Sequence, residues 1–277
     1  MQKEFHIEGT PQLEIKLASG EIEIDPSLEG QVEVELIAHD EESQRLVDDA
    51  RIERQGTTVT IDVPNKRGGF SLGSMFGRGG ISCRVRCPEG TSVTASTKSA
   101  DLHARGAIGG LTVRTASGDV EANDVRGGLN VKSASGDVVV RTVGGALNVQ
   151  SASGDVQVGT VRGPVNVQTA SGDVQIEAAD DRVNATVVSG DLDLGAVMRG
   201  DVSTQSVSGD VTIGVRRGSK VYLDCTTLSG DTSSELDLQN DAPAGDGPLV
   251  EIRAKTVSGD IHIRRAAAPA NTEEVHA

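Results

Sequence analysis

The sequence predicts an all-β fold: a parallel β-solenoid (β-helix) of 18-residue coils, each made of two nine-residue strand–turn units. Three observations carry this prediction. Ser-x-Asp triplets begin at Ser99, Ser117, Ser135, Ser153, Ser171 and Ser189, spaced by 18 residues each time. Within each period, as in "LNVKSASGD" (129–137) followed by "VVVRTVGGA" (138–146), apolar and polar residues alternate and then give way to a turn. Aromatic residues make up only 1% of the chain, with no Trp, so the interior must be aliphatic and narrow.

The repeating unit reads apolar-x-apolar-x-Ser/Thr-Ala/Val-x-Gly-Asp/Gly and runs 12 times without insertion from Val93 to Gly200. Positions 1 and 3 supply inward columns such as Leu129, Val131, Val138 and Val140. A single coil cannot bury that face, but stacked coils about 4.8 Å apart can. After Ser189 the spacing loosens, with later triplets at Ser208, Ser229 and Ser258.

The regions outside the regular repeat follow from their own patterns. Residues 1–92 read as N-terminal strands and a cap, with alternating segments such as "LEIKLASGEIEI" and "QVEVELIA". A helix is expected near 40–56, with Asp40 or Ser43 as N-cap and Gly56 after its end. A cap is needed because an open solenoid end exposes unpaired strand edges. A Gly-rich loop spans 66–80. Residues 93–265 form the solenoid, with a loop insert near 232–250, and 266–277 read as a disordered tail.

The "SASGDV" turns, the early "LASGEIEI", the short charged helix and the strand before "CPEGTSVTAST" together resemble the bacterial putative-adhesin, β-strand-repeat family of domains of unknown function. The resemblance covers roughly residues 10–265 and implies the solenoid fold. It carries no catalytic residue over to this chain.

Composition narrows the chemistry. A net charge of −15 argues against nucleic acid and anionic membrane as partners, since both favour a basic face. No 18-residue apolar run and no N-terminal apolar segment occur, so no membrane span, no signal peptide and a cytoplasmic location are expected. Cys83, Val85 and Cys87 share one strand face; Cys83 and Cys87 lie about 13 Å apart, too far for a disulfide, and read as buried thiols. The five His residues do not cluster, and no hydrolase, phosphate-loop or paired-Cys motif occurs. No enzyme activity, catalytic residue, metal site or cofactor is expected.

The reading is a scaffold or protein-interaction module, monomeric or a small oligomer, with a self-assembling filament or a calcium-binding β-roll as alternatives. Two features stand out as candidates. Phe70, Leu72, Met75 and Phe76 sit among glycines where the strand pattern lapses, and form a candidate partner contact. Asp101, Asp119, Asp137, Asp155, Asp173 and Asp191 form one turn column, in which each is expected to accept backbone N–H bonds within its own turn. Calcium wants six to eight oxygens. The opposite turns end in Gly128, Ala146, Pro164, Arg182 and Gly200 and supply no second acidic column, so the repeats are expected to fold without it.

Overall fold

Alternating Val/Leu/Ile and polar residues form strands wherever a neighbouring coil can complete their hydrogen bonds. The computed structural model describes residues 1–65, 80–236 and 248–266. Its strands, numbered by position along the chain, form two facing stacks. From the N-terminal end, the first stack runs β4 (Arg51–Gln55), β5 (Thr58–Asp62), the first half of β2 (Gln12–Asp25), the first half of β7 (Ser92–Ile108), then β8 (Leu111–Arg114). It continues through β10 (Leu129–Ser133), β12 (Leu147–Ser153), β14 (Val165–Ser171), β16 (Val183–Ser189), β18 (Gly200–Ser208), β22 (Leu249–Ser258) and β20 (Lys220–Ser229).

The second stack runs β1 (Gln2–His6), β3 (Gln31–Ala38), β6 (Ile81–Arg86), the second halves of β2 and β7, and β9 (Val120–Val125). It continues through β11 (Val138–Val143), β13 (Val156–Val161), β15 (Val174–Ala179), β17 (Leu192–Val197), β19 (Val211–Val215), β23 (Ile261–Arg265) and β21 (Thr232–Ser234). From β5 and β6 onward every pairing along the stacks is parallel.

The register is set by the 18-residue period, so like stacks on like. Leu111, Leu129, Leu147, Val165, Val183, Val202 and Ile252 form one inward column, and all are buried. Val120, Val138, Val156, Val174, Leu192, Val211 and Ile261 face them from the second stack. The polar residues between them line the outer faces. Toward the C-terminal end the core is less ideal: the hydroxyls of Thr204, Ser206 and Thr256 are buried without a hydrogen-bond partner.

The corners explain why Gly recurs in the turn from Gly118 onward. Gly154 has φ +114, a conformation that L side chains rarely adopt. A Cβ there would also lie 2.2 Å from the carbonyl oxygen of Gly136 in the coil below. Backbone conformation and coil spacing therefore exclude any side chain independently.

The two ends depart from the expected plan. The helix is α1 (Glu41–Asp48), capped by Asp40, whose carboxylate accepts from the Ser43 amide at 2.6 Å. It is shorter than 40–56, because "RIERQ" after it pairs antiparallel with β5 as a hairpin, and Gly56 (φ +62) serves that hairpin's turn. The solenoid itself reaches back to Gln12, since β2 pairs with β7 along most of its length. At the other end the coils are not in chain order. After β19 the chain skips one slot to form β20 and β21, then returns to fill it with β22 and β23. The expected loop insert near 232–250 thus contains β21 and the start of β22; its residues 237–247, the Gly-rich residues 66–79 and the tail from 267 lie outside the described residues.

Two stability tests follow from the packing. Gly154→Ala meets both strain and backbone overlap and is expected to destabilise by on the order of 3 kcal/mol. Gly56→Ala, with positive φ but open space around it, should cost about 1 kcal/mol. Comparable denaturant midpoints for the two would show that coil contact does not govern the corner. Val140→Asp places a charge at a position 2% exposed and should unfold its coils, whereas Gln150→Asp on the outer face should shift the thermal midpoint little. Equal midpoints would overturn the face assignment.

Candidate interaction surfaces

The Gly-Asp corner carries a continuous ladder. The amide of Asp119 donates to Oδ1 of Asp101 at 2.9 Å, Asp137 to Asp119 at 2.9 Å, and Asp155 to Asp137 at 2.9 Å. The series continues from Asp173 to Asp155, Asp191 to Asp173, Asp210 to Asp191, Asp260 to Asp210 and Asp231 to Asp260, all at 2.8 Å. This corrects the expectation that each carboxylate serves its own turn. It serves the next coil, because the Asp N–H points along the solenoid axis. The bonds within a turn are made by the hydroxyl at position 5: Ser133 to the carbonyl of Ser135 and Ser151 to that of Ser153, both at 2.8 Å, and Thr169 to that of Ser171 at 3.0 Å.

Magnitudes decide the sign of the column. Repulsion between neighbouring carboxylates about 4.8 Å apart is roughly 1 kcal/mol in water. A hydrogen bond to a charged acceptor is worth about 1.5–3 kcal/mol. Each rung is therefore stabilising overall.

Beside this ladder runs a column that sequence reading did not single out. The residue two before each corner Gly is Ala116, Ala134, Ala152 and Ala170 in the early coils. In stacking order it then becomes Val188, Val207, Val257 and Leu228, exposed by 46%, 49%, 47% and 82%. At about 4.8 Å per coil these four make an apolar ridge roughly 15 Å long on the C-terminal third of the solenoid. The signal was present as a change from Ala to Val or Leu before Ser-Gly-Asp. Its meaning depended on a coil order that the sequence does not reveal.

The opposite corner is basic. Arg199, Arg216 and Arg217 line a shallow cleft with Asp180, Met198 and Pro248. Arg199 Nε donates to the carbonyl of Asp180 at 3.0 Å. On one outer face Asn130, Asn148, Asn166 and Asn184 stack in register, with one amide–amide bond, Asn184 to Asn166, at 3.3 Å. Arg114, Lys132, Gln150 and Gln168 form the adjacent column.

Among the described residues, the titratable groups do not assemble into a centre. His103 lies on the outer face 3.0 Å from Glu121 and 3.7 Å from Glu21, and His262 meets Ser233 at 2.8 Å. Among the described residues no group of three or more His, Cys, Asp or Glu is placed to hold a metal ion. Cys83 and Cys87 are fully buried free thiols. Burial raises Cys83 from 9.0 to about 12 and Cys87 to about 11, which keeps both as unreactive thiols. Phe70, Leu72, Met75 and Phe76 lie outside the described residues. No helix among the described residues is long and apolar enough to cross a membrane.

Stacked coils, a glycine corner and a self-repeating acidic ladder define a β-solenoid repeat protein. The chain belongs to the Toastrack DUF4097 family, which it matches over residues 11–264. Similar solved structures include a "putative adhesin" from Bacteroides fragilis, 11% identical, with 95% of this chain and 96% of that chain covered and a TM-score of 0.47. Another "putative adhesin", from Parabacteroides distasonis, is 13% identical over 95% and 96% of the two chains, with a TM-score of 0.46. A "putative lipid binding protein" from the same species is 14% identical over 95% and 96%, again with a TM-score of 0.46. No curated protein matches the chain.

The ladder gives a direct test. Asp155→Ala leaves the Asp173 amide without its acceptor and should cost about 1.5–3 kcal/mol. Asp155→Asn keeps an oxygen there and relieves repulsion, and should stay within about 1 kcal/mol of the parent. A chelator should leave the β-sheet circular dichroism unchanged, because Oδ1 of each ladder Asp up to Asp260 already accepts an amide. Loss of signal with EDTA and recovery with calcium would make the corner a ligand loop.

Proposed function

We propose that this chain is a non-enzymatic scaffold that binds a protein partner through the ridge of Val188, Val207, Val257 and Leu228. The observation that supports this most is four exposed aliphatic side chains in one column, where the earlier coils carry Ala. A contiguous exposed apolar patch with polar surroundings marks an interaction surface. The neighbouring Asp ladder disfavours nucleic acid and anionic lipid as occupants. A glycan would want aromatic platforms, and Tyr222 is the one Tyr in the chain.

A filament is the second reading. The N-terminal end opposes it, because Lys3 Nζ donates to the carbonyl of Ile52 at 2.9 Å and Arg54 donates to that of His6. Charged side chains thus occupy edge carbonyls that a stacking neighbour would need.

Capture from the native host, comparing the full chain with a variant carrying Val188→Ser, Val207→Ser, Val257→Ser and Leu228→Ser, tests the proposal. Each exposed substitution should shift stability by no more than about 0.5 kcal/mol. The partner should be retained by the parent and lost by the variant at an unchanged thermal midpoint. A second variant with Phe70, Leu72, Met75 and Phe76 replaced by Ser provides the comparison. Loss of capture there alone would move the contact to that loop, and flotation of the parent with neutral vesicles would move it to lipid.

A further inference from the structure

The two ends of the solenoid are finished differently. At the N-terminal end the last pairings are antiparallel, and the edge strands, "QKEFH" and "RIERQ", are dense in charge. At the C-terminal end β20 pairs with β22 on one side, and among the described residues no strand pairs with its other edge. This ten-residue edge carries only two charges, Lys220 and Asp224. Neither has an ion-pair partner among the described residues. Its inward side chains Val221, Leu223 and Cys225 are only partly buried, although their counterparts one coil below, Val250, Ile252 and Ala254, are fully buried. Among the described residues, the solenoid core is therefore left open at this end.

We propose that this edge pairs antiparallel with the same edge of a second copy, closing the chain into a two-fold dimer. A two-fold antiparallel pair is fixed by one number, the residue on the axis. The pairing must also keep inward residues opposite inward residues, since a slip by one residue flips the faces. Placing Tyr222 on the axis satisfies this and sets Val221 opposite Leu223 of the second copy, joining the two cores. It also sets Lys220 opposite Asp224, twice. Moving the axis to Leu223 puts Lys220 opposite Thr226 and Tyr222 opposite Asp224, and moving it to Asp224 sets like charges against each other. One register therefore pairs the two charges of this strand. The axis lies normal to the sheet that holds β20, so that sheet continues into its own copy. The charged N-terminal edges stop growth at two chains.

Sedimentation of the full chain over a concentration series tests this. The expected result is a monomer–dimer equilibrium. Lys220→Asp and Asp224→Lys each place like charges across the pair and should each weaken the dimer on the order of tenfold or more. The double swap restores opposite charges and should recover it, which a merely local structural effect would not do. Tyr222→Cys in a Cys225→Ser background should form a disulfide-linked dimer under mild oxidation, because opposed residues in an antiparallel pair lie about 5 Å apart. Thr226→Cys, opposite Gly218 in this register, should not. A monomer at every concentration, a dimer indifferent to the charge reversals, or mass that grows without a plateau would overturn the proposal.

Discussion

The hydrogen bond from each corner Asp amide to the carboxylate one coil below is the constraint on which the rest of the structure depends. In a parallel stack the strand amides find strand carbonyls, but the corner amide does not, because the chain is turning there. Losing a hydrogen bond to a charged acceptor costs about 1.5–3 kcal/mol. The aspartate of the previous coil supplies the acceptor at 2.8–2.9 Å along the whole ladder. That requirement fixes the coil spacing at the corner. The coil spacing in turn leaves 2.1–2.4 Å between a corner-glycine Cβ and the carbonyl below from Gly136 onward, so the preceding residue must be glycine. Gly-Asp is thus one device: glycine lets the coils approach, and aspartate bonds them once they do.

The same device makes coils interchangeable, which accounts for the order at the C-terminal end. Asp260 donates to Asp210 and Asp231 to Asp260, so the ladder runs unbroken through a place where the chain order is reversed. The inward columns continue too, with Ile252 on Val202 and Leu223 on Ile252. Identical rungs offer no local preference for the coil that is next in sequence. The jump out leaves β19 through "VRRGSK", with Gly218 at φ +87 in open space. The hydroxyls of Thr204, Ser206 and Thr256, buried without partners, fall in the two coils that this rearrangement brings together.

What could be read from the sequence was whatever repeats locally. The 18-residue period, the inward positions of Val131 and Val140, and the shared face of Cys83 and Cys87 all follow from alternation along one strand. The start of α1 was legible in Asp40, but its end was not. Alternation in "RIERQ" is compatible with a helix face until β5 is known to lie beside it. The destination of the aspartate side chain was illegible for a different reason. An Asx turn and an inter-coil bond use the same residue in the same turn, and only the direction of the next amide separates them. The apolar ridge is a column of residues 19 to 50 positions apart, which becomes visible only once the coil order is known.

A surface of this kind can be rewritten one column at a time without disturbing what holds it together. The column beside the ladder begins at Lys98, passes through four alanines and ends in Val188, Val207, Val257 and Leu228. None of these side chains enters the core columns or accepts a ladder bond, so their identity is free to follow a ligand instead of the fold. The core columns show the opposite behaviour: the one through Leu129 changes only among Leu, Val and Ile, and the one through Val131 stays small, ending in Ala185, Thr204, Ala254 and Cys225. A drift toward larger apolar side chains in a column that packing does not constrain has no structural purpose within the coil that bears it. In the scaffold proposed above, that column is the surface a partner would lie against.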